Sequence, residues 1–320
     1  MEEKDRSCQF LNSHINVDGV SWNDSVKAIT LLYHWGMLNN YESVLRTIYL
    51  HQKWGYRKKF KADNNFLMQA TELLQEIEGP RIWACFHIGA YGLLARALIK
   101  KGCGIAILLK DEVFEEQYPI YVQQFKESFG REPRDTELCF IRTNGAKSLI
   151  KLKKCIVEGY HVVGYIDAYE GVGEAKGTTK IRLFDKTMDV RVGMAALSYW
   201  TGVAVRPIVL TTKHNQLRVY SRQDIHVDAK ENYGEIMQYC FDILESLPVD
   251  ELIQWEFLPD LSERLVAQFP NVVPKTSIWL PIEAVRENRL FDVVSRKSVT
   301  VSASNYAKIK GILADVLVKM

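Results

Sequence analysis

The chain has 320 residues, enough for one large domain or one domain with a small appendage. With 47% hydrophobic and 25% charged residues it has the composition of an ordinary globular protein, and a formal net charge of +2 gives no global case for a nucleic-acid binder. Its six cysteines (Cys8, Cys85, Cys103, Cys139, Cys155, Cys240) form no CxxC pair, which argues against a zinc site and a disulfide framework and leaves them as small buried hydrophobes.

The opening MEEKDRSCQF lacks the charged-then-apolar pattern of a secretory signal. No apolar run approaches the roughly 20 residues that span a bilayer, so a cytoplasmic protein is expected, with at most a peripheral contact at the inner membrane. Residues 24–78 read as helical, most clearly Asn65–Ile77 with Phe66, Ala70, Leu73 and Leu74 at helical spacing. Within this part His51, Lys53, Arg57, Lys58, Lys59 and Lys61 interleave with Trp54, Tyr56 and Phe60. Such a stretch suits acidic lipid headgroups, phosphopantetheine or an acidic carrier protein, and equally a solvated helix end.

From Arg81 short apolar runs alternate with helical patterns. Strands are expected at Ile82–Phe86, Ile105–Leu109, Leu138–Ile141, His161–Ile166, Ala204–Leu210 and Leu217–Ser221, with Pro207 marking an edge strand or a strand end. Between them lie helices at Leu93–Ile99, at Phe114 to Phe129 with Pro119 in its early turns, from Asn144 to Ile156, and at Val192–Trp200. A strongly periodic helix from Tyr233 to Leu247 follows and stops at Pro248. This alternation predicts an α/β domain with a mainly parallel sheet covered by helices, spanning residues 1–262. Residues 263–320 read as a C-terminal extension, with a hairpin over Arg289–Ser302 turning at Ser295-Arg296-Lys297 and a helix from Ala307 to Val318. Its Arg289-Leu-Phe-Asp stretch resembles, over those few residues, the peptide-binding domains of ribosomal-peptide tailoring systems.

Sites in parallel sheets gather at the C-terminal strand ends. His87 ends the apolar run Arg81-Ile-Trp-Ala-Cys-Phe-His87, and Asp167 ends Gly164-Tyr-Ile-Asp167, so both belong at one rim. An imidazole there, with a pKa near neutrality, suits proton abstraction, although a histidine after a strand is also a common structural cap. Downstream stand Thr178-Thr-Lys-Ile-Arg-Leu-Phe184-Asp-Lys, Val190-Arg-Val-Gly193-Met-Ala-Ala, Thr201-Gly-Val-Ala-Val-Arg-Pro207 and Gln254-Trp255-Glu256-Phe257.

In the order and spacing of these motifs, residues 24–260 resemble the lipid A biosynthesis acyltransferases of the lysophospholipid acyltransferase superfamily. The resemblance implies a glycerolipid-acyltransferase-like fold. It also implies acyl transfer from an acyl carrier protein or coenzyme A thioester to a hydroxyl or amine, with a histidine as general base and no cofactor or metal. It further implies an acid five positions after the histidine that orients the imidazole, and backbone amides and cations that stabilise the oxyanion.

Here the chain departs from the pattern, because Gly92 occupies the acid's position and no Asp or Glu occurs from Arg81 through Lys110. Three readings follow. Asp167 or Glu170 reaches His87 from the neighbouring strand end. Alternatively a nucleophilic amine acceptor needs less assistance and Tyr91 orients the base. In the third, the chain is a catalytically inactive homologue that binds an acyl group or carrier for a partner enzyme.

For the anionic part of a substrate the candidates are Lys180, Arg191, Gly193, Arg206 and Arg142, with Lys147 and Arg182 behind them. Lys180 and Arg191 flank the Gly193 helix start, where backbone amides favour anions. Solvation explains each cation individually as well. Trp83, Phe86, Tyr165, Tyr169 and Trp200 fit an acyl groove or an ordinary core. The other histidines share no ligand spacing, Ser148 and Ser198 lack a GxSxG setting, and Gly171 and Gly173 read as turn residues rather than a nucleotide loop. The implied acceptor is a lipid, a peptide or another small molecule.

Overall fold

A computed structural model describes residues 22–57, 64–74, 77–109, 111–142, 146–168, 177–269, 276–284 and 287–319. In chain order the elements are α1 (Trp22–His34), α2 (Tyr41–Arg57), α3 (Asn64–Leu73), β1 (Ile82–Cys85), α4 (Leu93–Lys100), β2 (Ile105–Leu109), α5 (Asp111–Phe129), β3 (Leu138–Arg142), α6 (Ala146–Val157) and β4 (His161–Tyr165). They continue as β5 (Thr178–Leu183), β6 (Lys186–Arg191), α7 (Gly193–Thr201), β7 (Val205–Lys213), β8 (Gln216–Ser221), α8 (Tyr233–Glu245), α9 (Val249–Leu252) and α10 (Leu258–Leu265). The last are β9 (Trp279–Ala284), β10 (Glu287–Asp292), β11 (Ser298–Thr300) and α11 (Ala303–Lys319). Among the described residues no helix is long and apolar enough to cross a membrane.

The chain divides into two compact units, Lys61–Leu247 and the union of Met1–Phe60 with Pro248–Met320. This differs from a boundary near residue 262, because α1 packs on α10 and β9, and α2 packs on α9 and α11, so the first helices share a core with the segment that follows Leu247. That unit carries a three-stranded antiparallel sheet in the order β11-β10-β9. The turn between β10 and β11 is built on fully buried Asp292, which accepts from the N–H of Ile278 and from the N–H and hydroxyl of Ser295. His51, from the basic stretch, belongs to this core: it is 2% exposed and its Nδ1 lies 2.9 Å from Ser25 Oγ. Lys53 is exposed, while Lys58, Lys59, Phe60 and Lys61 lie outside the described residues.

The other unit is α/β, with a six-stranded sheet in the order β3-β2-β4-β1-β7-β8. The first five strands of that order are parallel and β8 runs antiparallel to β7. Burial on both faces explains why β1, β2 and β4 read as unbroken apolar runs. One face packs with α3, α4 and α5 in a core containing Trp83, Cys85, Ile107, Val163 and Leu210. Alternate residues face the other way, where Phe86 meets Phe241 of α8 edge-on at 5.1 Å and Gly164 meets Met194 of α7. A Cβ at position 164 would come within 2.5 Å of the Met194 sulfur, so any larger residue there requires the Met194 side chain to move.

Pro207 is not in an edge strand. It pairs with Ala84 of β1, and on its other side its carbonyl accepts the Arg222 N–H at 3.2 Å, just past the last β8 pairing at Ile208–Ser221. The missing proline donor therefore falls where the β8 ladder has run out.

Two hairpins close through two-residue turns with left-handed backbone at both positions, Phe184-Asp185 between β5 and β6 and His214-Asn215 between β7 and β8. Gln238 of α8 seals the β5 edge by bonding both the N–H and the carbonyl of Arg182.

At the N-terminal rim His161 accepts at Nδ1 from the Arg81 N–H (3.1 Å) and the Trp83 indole (3.3 Å). Burial, aided by Arg81, lowers its pKa from the ordinary 6.5 to about 4. The neutral ring is favoured in the folded state, so stability is lost as pH falls from 6.5 and the loss is complete near 4. His161→Asn, which keeps an acceptor without the titration, should shrink the drop in unfolding free energy between pH 7 and pH 4 by about 2 kcal/mol. Urea melts at the two pH values measure this, and an unchanged drop would contradict it.

Candidate functional site

The site follows from strand register. β1 and β4 are parallel neighbours with Cys85 opposite Tyr165, and the ladder continues one bond further, from the Ile166 N–H to the Cys85 carbonyl. Two residues past the matched pair on each strand come His87 and Asp167, which therefore meet.

The two connections leave in opposite directions, β1 into α4 on one face and β4 toward α7 on the other. Adjacent strands that diverge in this way leave a crevice at their C-terminal ends, the usual place for a ligand in an open α/β sheet.

The Asp167 side chain has no exposure, while that of His87 is 21% exposed. One carboxylate oxygen lies 2.8 Å from His87 Nδ1 and the other accepts the His87 backbone N–H at 2.7 Å. A buried carboxylate needs donors, and here a single residue supplies two of them. The carboxylate holds the proton on Nδ1, so Nε2 is the basic nitrogen. Gly89, at φ 63°, turns the chain after His87, and the Ala90 N–H then bonds the Leu210 carbonyl at 2.8 Å, fixing the loop to β7. The imidazole is framed by Tyr165, with ring centroids 4.5 Å apart, and by Tyr91, edge-on at 5.1 Å.

Among the sequence candidates, then, the structure brings together His87, Asp167, Tyr91 and Tyr165. Asp167 rather than Tyr91 takes Nδ1, and Glu170 and Tyr169 lie outside the described residues. Arg142 ends β3 at the same rim, three strand spacings or roughly 14 Å from β1, where it pairs with Glu115 at 2.6 Å and covers the Phe114 ring.

Arg206 is a correction. It lies opposite Trp83 in β7, four residues or roughly 13 Å before His87, and with Arg81 it clamps Asp224 at the other rim. Lys180 is exposed and pairs with Asp189 across the β5–β6 hairpin. Half-buried Arg191 precedes Gly193, which starts α7, the helix packed on Gly164. Trp83 and Phe86 are 1% exposed and belong to the core, whereas Trp200 stands 40% exposed at the end of α7. Cys85, Cys155 and Cys240 are buried, and burial pushes the Cys240 thiol up to about 12. Among the described residues no cluster of three or more His, Cys, Asp or Glu is placed to hold a metal.

Sequence reasoning missed Arg96, a buried guanidinium one turn into α4. Its signal was present, as the single charge inside Leu93-Leu-Ala-Arg-Ala-Leu-Ile99.

No protein-family model matches the sequence, and no curated protein does.

Removing the buried acceptor tests the geometry directly. Asp167→Ala should cost about 2–3 kcal/mol of stability, because two N–H groups lose their partner, while Asp167→Asn should stay within about 1 kcal/mol. Chemical denaturation separates the two, and an alanine variant as stable as the parent would show that the carboxylate is not held in this way.

Proposed function

We propose that the protein is an acyltransferase that moves an acyl group from an acyl carrier protein or coenzyme A thioester to a hydroxyl or amine. The observation that carries this reading is the 2.8 Å contact between His87 Nδ1 and Asp167 at the C-terminal rim of the sheet. It is supported by the resemblance of residues 24–260 to the lipid A biosynthesis acyltransferases, in which an acid orients a catalytic histidine. In this chain the acid comes from β4 rather than from the position of Gly92.

In the proposed step the acceptor O–H or N–H approaches His87 Nε2, and its heteroatom attacks the thioester carbonyl. The new C–O or C–N bond forms and the C–S bond breaks. The proton passes to Nε2 and then to the leaving thiolate, so the imidazole ends neutral. Asp167 keeps the ring in the working tautomer and offsets the transient imidazolium charge, the part its counterpart plays in the serine-protease triad. The start of α4, six residues after His87, puts the positive end of a helix dipole near the developing oxyanion. The reaction is placed in the cytoplasm, at or near the inner membrane surface.

Purified protein incubated with acyl-carrier and acyl-coenzyme A donors and a panel of amine and alcohol acceptors, followed by mass spectrometry, tests the reading. Thioester loss should be matched by acylated product. His87→Ala should lower the rate by about 10³-fold or more, and Asp167→Asn by about 10²–10⁴-fold. Donor binding without transfer, or transfer unchanged in His87→Ala, would replace the enzyme with a catalytically inactive partner protein that holds an acyl group or carrier.

A further inference from the structure

Helix α4 is buried on every side, and Arg96, 7% exposed, is buried with it. A guanidinium has five N–H donors and a charge that, away from water, needs an anion. Little is provided here. Nε faces the Gly92 carbonyl and one Nη faces Ser128 Oγ, both at 3.4 Å, both long and both neutral. Arg96 forms no ion pair among the described residues. Glu127, the one carboxylate with an electrostatic effect on it, accepts instead from Gln123 at 3.0 Å. Burial lowers the Arg96 pKa to about 10, which leaves it charged at neutral pH.

The surroundings put this cation beside the dyad. Helical side chains lean toward the helix N-terminus, which brings the guanidinium level with Gly92 and the rim. Tyr121 of α5 and Tyr165 lie within its electrostatic reach, and their phenols bond each other. Tyr165 also packs on His87, so a single aromatic ring separates the imidazole from the arginine's neighbourhood. Burial keeps the Tyr165 phenol protonated, well above 10, and therefore able to donate. The cation has no carboxylate paired with it among the described residues, and the two mutually bonded phenols stand between it and the general base.

We propose that Arg96, with Tyr121 and Tyr165, binds a carboxylate on the acyl acceptor, so that the acceptor is a small amino or hydroxy acid whose nucleophile faces His87. This rests on the acyl-transfer reading above. A carboxylate fits better than a phosphate monoester because one buried positive charge matches one negative charge, and a second would be left uncompensated. The donor's phosphate is excluded by reach, since the whole pantetheine arm separates it from the thioester carbonyl.

Binding of N-decanoylglycine and of its primary amide to the full chain, compared by titration calorimetry without a donor, tests the site. The two probes differ only in the charge at the glycyl end. The acid should bind at least tenfold more tightly to the unaltered protein, Tyr121→Phe should reduce that preference, and Arg96→Gln should erase it. Equal binding of acid and amide, binding of neither, or a preference that survives in a folded Arg96→Gln protein would overturn the proposal. The unaltered chain decides even if the glutamine variant fails to fold. Because binding needs no turnover, an acid preference without any acyl transfer would refute the reaction and keep the site. Transfer to glycine and glycinamide alike would keep the reaction and refute the site.

Discussion

Asp167 is an anion sealed from water and answered by two N–H groups of one neighbouring residue. Neither His87 nor Asp167 sits on a regular element. Each is two residues past the end of a strand, and their alignment depends on the parallel register of β1 with β4. A slip of one residue would turn Asp167 to the opposite face and break both of its bonds to His87. The devices around the pair act to hold that register: glycine at 164 lets α7 press against β4, the left-handed turn at Gly89 ties the loop to β7, and both strands are buried on both faces.

The same geometry bears on Gly92, five positions after His87. The position of Gly92 has ordinary helical backbone and open space where a side chain would be, so nothing local forbids an acid there. What Asp167 changes is the demand: with Nδ1 already engaged from the neighbouring strand, an acid on the histidine's own loop would have no ring proton left to hold. Position 92 therefore needs no acid for the His87 ring to be oriented.

Much of this was legible in the sequence because it rests on local patterns. Apolar runs of four or five residues between periodic helices located β1, β2 and β4, and the rule that sites lie at C-terminal strand ends put His87 and Asp167 at one rim. The features that escaped depend on tertiary context. Phe184-Asp185 makes a turn that glycine or asparagine usually announces, and the surrounding ladder holds its left-handed backbone. Pro207 reads as an edge residue until it is known that the β8 ladder stops beside it. Arg206 looked like a substrate ligand because its strand is part of the motif series, but its partner Asp224 lies at the opposite rim. The return of the C-terminal chain to α1 and α2 has no local signature at all.

Nitrogen-15 NMR of the histidine side chains tests the central pairing most directly, because it reports which ring nitrogen carries the proton. For His87 the neutral ring should show a protonated Nδ1 and an unprotonated Nε2, with the Nδ1 proton shifted downfield by its bond to the buried carboxylate. A His87 ring protonated at Nε2, or one averaging freely between tautomers, would mean that Asp167 does not hold the imidazole as a base.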